Sequence, residues 1–350
     1  MKNNTAADYK KILIIQTAFA GDVILTLPMV QVLKEDFPDS EISFLCIPNV
    51  SNILENNPDI SEIILYDKKK KKKGLLNFLR LVKDIQSRNF GLVISPHRSL
   101  RSTLISRYSG AKQTISFDTS VLSAKYSSRV VYKKNVHEII RNLSLLAPLG
   151  IIRNEIIVPK IYPSEDDKLK VDNLLTVFKI GQDEKFIALA PGSVWFTKAF
   201  PDYKFAKVIG ILNDFHYKIV MTGGSEDAGL CSKIKVLSKS RNVYNAAGKL
   251  TYLQSAELIR RSAVLLTNDS SPMHLANAVG TKVNAIFGAT VPEFGFYPIG
   301  KADKIFQTEG LKCRPCAIHG GNRCPIKTFD CMEKINESEV ALELVSSVIS

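Results

Sequence analysis

No stretch of this 350-residue chain approaches the roughly 18–20 consecutive apolar residues that a membrane-crossing helix requires, so no such helix is expected. Acidic side chains are in short supply, with 34 Asp and Glu against 47 Lys and Arg, a formal net charge of +13. That imbalance points to an anionic partner: nucleic acid, a phosphorylated small molecule or an acidic membrane surface. Cysteine is scarce at six residues, and low-complexity sequence is confined to a single run of six lysines at 68–73. That run holds no aromatic residue, whereas nucleic-acid readers interleave basic and aromatic side chains, so no nucleic-acid partner is expected. What is present is ordinary for a folded protein, 45% hydrophobic and 23% charged residues, which excludes global disorder.

Removing the lysine run leaves 13 − 6 = +7, basic but unexceptional. The run reads either as a solvated loop or as a contact for an anionic surface. Near the N-terminus, Lys10-Lys11, four apolar residues at 12–15 and Ala18-Phe19-Ala20 imitate a secretory signal. Gln16 and Thr17 end the apolar stretch after four residues, so a buried first strand fits better and the protein is expected in the cytoplasm. Disulfides are not expected there.

Apolar runs alternate with helical periodicity. Residues 12–15, 41–47, 63–65 and 92–95 read as strands buried on both faces. Ile24, Leu27, Val30, Leu33 and Phe37 line one face of a helix that Pro28 should kink or shift after its first turn. Around residues 150–185 the pattern gives way to a connecting region, then resumes with strands at 186–190, 218–222, 264–268 and 283–287. Two successive units of this kind predict an α/β chain of two Rossmann-like, doubly wound domains facing a cleft, 1–160 and 161–350, with the last helix able to pack back on the first. Ligands belong at the carboxyl ends of such strands.

Four of the motifs fall there. Ala20-Gly21-Asp22-Val23 follows the first strand, and Asp22 reads either as a helix N-cap or as a general base, roles that compete because a capping carboxylate is a weaker base. The loop Pro191-Gly192-Ser193 to Lys198 can hold phosphate oxygens, although no P-loop spacing is present and Lys198 also reads as a surface lysine. Gly223-Gly224-Ser225-Glu226 lets a ligand approach the backbone, with Glu226 either a sugar-hydroxyl acceptor or a favourable first-turn acid. Asn268-Asp269-Ser270-Ser271-Pro272-Met273-His274 is the most specific, a helix start shaped for an anion with His274 one turn in. A fifth group, Cys313, Cys316, Cys324 and Cys331, spans 19 residues and reads as a structural metal site or as reduced thiols. After the strand at 92–95, Arg98 and Arg101 read as acceptor-side anion contacts or as an ordinary basic helix start.

Taken in order, Gly21-Asp22, Pro191-Gly192…Lys198-x-x-Pro201, Gly223-Gly224-x-Glu226 and Asn268-Asp269-Ser270-x-x-Met273-His274 resemble the ADP-heptose:lipopolysaccharide heptosyltransferases, glycosyltransferase family 9, of the two-domain GT-B fold. The resemblance runs from about residue 11 to 335, and the cysteine-bearing tail is similar to heptosyltransferase II-like members. The sequence departs from the family pattern at Val194 and at Ser271-Pro272. The resemblance implies inverting transfer from ADP-heptose to a lipopolysaccharide inner core, with Asp22 as base and an acceptor-binding N-terminal domain. It further implies Ser193 and Lys198 on the donor pyrophosphate, Glu226 on ribose, Asp269 on the heptose, and Ser270, Ser271 and His274 around phosphates and sugar. No paired metal-binding carboxylates accompany these motifs, so no cofactor or metal is expected. The alternatives are a related transferase using another nucleotide sugar, or a nucleotide-binding protein without catalysis. Lysines 68–73 would then hold the enzyme peripherally at the anionic inner face of the inner membrane.

Overall fold

The computed structural model describes residues 9–67 and 74–349; lysines 68–73, and with them the expected membrane contact, lie outside the described residues. The chain divides into Met1–Tyr162 and Pro163–Ser350, two residues from the boundary expected.

In the first unit β1 (Lys11–Ile15), β2 (Glu41–Cys46), β3 (Glu62–Leu65), β4 (Leu92–Ser95), β5 (Gln113–Phe117) and β6 (Ser128–Val130) form one parallel sheet in the order β3-β2-β1-β4-β5-β6. Ile12, Leu13, Ile14 and Ile15 are wholly buried, as a strand covered on both faces requires. The single helix expected over 24–37 is two: α1 (Ala20–Ile24) and α2 (Leu27–Asp36). Pro28 lies in the first turn of α2, where its missing N–H breaks no helical bond, so it starts a helix rather than kinking one. Helices α3 (Gly74–Ser87), α4 (Leu100–Tyr108) and α5 (Glu138–Leu143) complete the unit.

The second unit repeats the plan. Strands β7 (Phe186–Ala190), β8 (Lys218–Met221), β9 (Val243–Asn245), β10 (Val264–Asn268), β11 (Lys282–Phe287) and β12 (Lys304–Gln307) run parallel in the order β12-β11-β10-β7-β8-β9. Counted from its own first strand, each sheet has the order 3-2-1-4-5-6 of a dinucleotide-binding fold. The strand order reverses between β1 and β4 and again between β7 and β10, and the loops leaving those strands diverge there. Helices α6 (Glu165–Val177), α7 (Asp202–Asn213), α8 (Ala228–Ser238), α9 (Tyr252–Arg261), α10 (Ser271–Ala278), α11 (Asp330–Glu333) and α12 (Glu337–Ile349) accompany this sheet. Within the second unit, Val340, Ala341, Leu344 and Val348 of α12 pack with Phe205, Val208 and Ile209 of α7 and with Leu266 of β10. These positions recur at helical spacing and form one apolar face. No helix among the described residues is long and apolar enough to cross a membrane.

Because α12 is part of this core, Leu344→Ala should lower the unfolding free energy by about 2–5 kcal/mol, measured by urea denaturation. A loss below about 1 kcal/mol would place the helix outside the core.

Candidate active site

In the first unit the site residues stand on the loops that leave β1 and β4. Asp22 is the third residue of α1, not its N-cap, and its Oδ2 accepts the backbone N–H of Phe19, three residues earlier, at 3.1 Å. The bond thus runs backwards, from helix interior to helix start, and leaves the carboxylate only half-buried. Facing α1 across the switch point, His97 Nδ1 lies 2.9 Å from both Thr17 Oγ1 and Ser102 Oγ. Ser99 caps α4 by accepting from Ser102 N.

Arg98 is exposed, but its guanidinium stacks 4.1 Å from the centre of the Tyr132 ring and donates to Thr119 Oγ1 at 3.3 Å. Arg141 approaches the same ring at 4.7 Å and is held by the carbonyls of Lys133 and Val136 and by the carboxylate of Glu138. Burial pushes Glu138 up to about 7; Arg141 opposes the rise and the negative charge of Asp22 adds to it. Asp22, Arg98, Tyr132, Glu138 and Arg141 therefore share one electrostatic neighbourhood. Arg101 turns elsewhere and hydrogen-bonds the Tyr66 side chain.

In the second unit the lysine loop is pinned by Asn268, the wholly buried last residue of β10. Its Nδ2 donates to the carbonyl of Pro191 at 2.8 Å, and its Oδ1 accepts the N–H of Phe200 at 3.0 Å, so one amide fixes both ends of the loop. Between those ends, a single 3-10 turn at Phe196–Lys198 swings Lys198 inward. Its Nζ stands 2.7 Å from Oδ2 of Asp269, which also accepts from Thr290 Oγ1 at 2.7 Å. With side-chain exposures of 16% and 7%, both partners are sheltered and Lys198 is not a surface lysine.

Ser270 caps α10 without a side-chain bond to the helix, its hydroxyl donating instead to the carbonyl of Asn268, and Ser271 opens the helix with Pro272 beside it. His274 is buried one turn on. Ser193, expected to face a ligand, bonds within its own turn, donating to Trp195 O and accepting from Trp195 N. Glu226 is exposed on the turn after β8 and accepts from Ser225 Oγ at 3.4 Å. The glycines of these turns also have a packing role. A Cβ on Gly192 or Gly223 would run into the carboxylate of Asp227, which occupies the space between the two turns and accepts from Gly224 N.

The cysteine-bearing segment is tied to the lysine loop. Thr197 N donates to Gly321 O at 3.0 Å, Gly321 N donates to Thr197 Oγ1 at 2.7 Å, and Phe196 stacks on Phe329. Arg314 donates to the carbonyls of Gly288 and Thr290, so the same segment also braces the turn that supplies Thr290. None of the six cysteines forms a disulfide, and among the described residues no three His, Cys, Asp or Glu side chains converge as metal ligands would. Sequence reasoning missed Thr290, Tyr132, Glu138 and the bracing by 311–329. Only Thr290 carries a signal, a Gly-Ala-Thr turn immediately after a strand.

Two outcomes follow. Asn268→Ala leaves Phe200 N–H and Pro191 C=O unpaired, which should cost about 1–3 kcal/mol for each group, read by chemical denaturation. For Glu138 the sign is set by its raised affinity for a proton. Unfolded, it releases the proton near 4.5; folded, near 7; so stability should fall as pH rises through that window. Thermal midpoints measured across it should fall in the wild type and less in Glu138→Gln.

A sequence profile of glycosyltransferase family 9 (heptosyltransferase) matches residues 78–322. Lipopolysaccharide heptosyltransferase 3 of Escherichia coli K12 is 29% identical over 289 residues, 78% of this chain and 80% of that one. Among solved structures, a glycosyltransferase of family 9 from Veillonella parvula superposes with a TM-score of 0.85 at 22% identity, covering 99% of both chains. The E. coli ADP-heptose LPS heptosyltransferase II gives 0.79 at 20% identity over 97% of this chain and 98% of its own. The likeness in architecture is that of the GT-B fold, built from two Rossmann-like units. With 245 of its 350 residues matched to the profile, the chain belongs to glycosyltransferase family 9, the heptosyltransferases, and is a glycosyltransferase.

Proposed function

We propose that the enzyme transfers heptose from ADP-heptose to a lipopolysaccharide inner core with inversion of configuration, using Asp22 as general base. The observation that carries this reading is the sheltered Lys198–Asp269 pair beside the start of α10, a fixed cation where a departing diphosphate needs one. The relatives supply the substrate class: one acts on lipopolysaccharide, and the other is named for ADP-heptose.

In this mechanism the acceptor oxygen attacks the anomeric carbon from the face opposite the diphosphate. Its proton passes to Asp22 as the new C–O bond forms. The bond from the anomeric carbon to the β-phosphate oxygen breaks, and its electron pair leaves with ADP. Charge builds on that oxygen, where Lys198 and the N–H groups of Ser270 and Ser271 stabilise it without having to reorganise. Lys198 has three N–H donors, so the one held by Asp269 leaves others for phosphate. Asp269 orients the sugar, Glu226 accepts from ribose hydroxyls, and Ser193 and His274 line the phosphate and sugar path. The bond to Phe19 N–H uses one lone pair of Asp22 and holds the carboxylate in place, so capping and base roles coexist. Arg98, fixed on Tyr132, meets the carboxylates or phosphates of the acceptor, with Arg101 joining it only on release from Tyr66, which makes the first unit the acceptor-binding one. The enzyme works at the cytoplasmic face of the inner membrane, where lysines 68–73 contact anionic lipid.

Incubation with ADP-heptose and a heptose-deficient core acceptor should give a product heavier by one heptosyl residue. Consumption of a different nucleotide sugar with no heptose transfer would overturn the donor assignment. Asp22→Asn should lower kcat by about 10²–10⁴-fold with donor affinity retained; undiminished turnover would remove Asp22 as the base.

A further inference from the structure

Helix α3 is apolar on two sides. Val82 and Ile85 enter the core of the first sheet, while Leu76 and Leu79 point outward at 55% and 47% exposure. Their row continues to Tyr108 at the end of α4, itself 55% exposed, along an open groove of about 650 Å³ between the two helices. Arg80, Lys83 and Arg107 rim this groove, and among the described residues no acidic side chain lines it. An apolar strip exposed in this way marks an interaction surface. A wholly basic rim selects an anionic partner, and the rim is continuous in sequence with the six lysines that immediately precede α3.

We propose that the α3–α4 groove is the face with which the enzyme docks on an anionic phospholipid bilayer. Leu76, Leu79 and Tyr108 enter the boundary between headgroups and acyl chains, and Arg80, Lys83 and Arg107 pair with lipid phosphates. Apolar burial and charge attraction act together there, as at other interfacial helices. The inference rests on the reading above that the acceptor is a lipid-anchored, anionic saccharide, and it goes further by naming the surface that meets the membrane.

The test measures binding of the full chain to phosphatidylglycerol/phosphatidylethanolamine vesicles by co-sedimentation, with neither donor nor acceptor present. Leu76→Ser combined with Leu79→Ser leaves the net charge unchanged and alters only exposed positions, so its thermal midpoint should match the wild type. Its partition onto anionic vesicles should fall about tenfold, and transfer to a delipidated, water-soluble acceptor should be unaffected. Lys83→Gln with Arg107→Gln should weaken binding at low salt and converge with the wild type at high salt. Wild-type binding that survives the leucine substitutions, or that disappears only when lysines 68–73 become glutamines, would overturn the proposal. A dimer in lipid-free solution that the leucine substitutions dissociate would overturn it in favour of a second copy of the chain. Vesicle binding through the groove in a protein unable to transfer heptose would leave the docking face standing and the functional reading fallen.

Discussion

The candidate-site loop of the second unit hangs on one buried side chain. Asn268 ends a central strand, and its amide both donates to the start of the lysine loop and accepts from its end. An aspartate would lack the donor, and a leucine would lack both functions and leave two backbone groups stranded in a dry interior. The next residue, Asp269, then receives Lys198 from the loop that Asn268 has placed. Strand end, loop path and cation position thus follow from consecutive residues, and the same strand end starts α10. The site loops of the first unit are held differently, by a backward helix cap at Asp22 and by a web of hydroxyls around His97.

How much of this was legible in the sequence depends on whether the signal was local. Strands 186–190 and 264–268 read correctly to the residue, the first as a continuous apolar run and the second as an apolar start passing through Thr267 and Asn268 into turn residues. Pro28 was legible as an interruption but not as a helix start, since that choice depends on how Leu25 and Thr26 leave the preceding turn. Strand β6, Ser-Arg-Val, has neither alternation nor an apolar run, so its place at the sheet edge is fixed by pairing with β5 and not by composition.

The motifs marked the loops of the site, yet the partners inside it were invisible. Lys198 meets a residue 71 positions away, and nothing in the spacing distinguishes a sheltered lysine from a solvated one. The Gly223-Gly224 turn read as an approach for a ligand, but its tie to Gly192 was not legible: Asp227 packs where a Cβ on either Gly192 or Gly223 would stand. The cysteines drew attention as possible ligands, whereas their segment serves the fold through backbone bonds from Gly321 and side-chain bonds from Arg314. Backbone partners leave no trace in residue type, which is why this contact had no sequence signature.

The pairing of Lys198 with Asp269 bears on selectivity among anions. A cation already neutralised at 2.7 Å offers little to a small ion such as inorganic phosphate, which would have to compete with a carboxylate fixed in place by Thr290. A ligand anchored elsewhere, through a base and a ribose, is held against the lysine at high effective concentration and can share it. Under the donor-site reading proposed above, the pair thus selects by reach as well as by charge, and a free phosphate with no second anchor gains little from it.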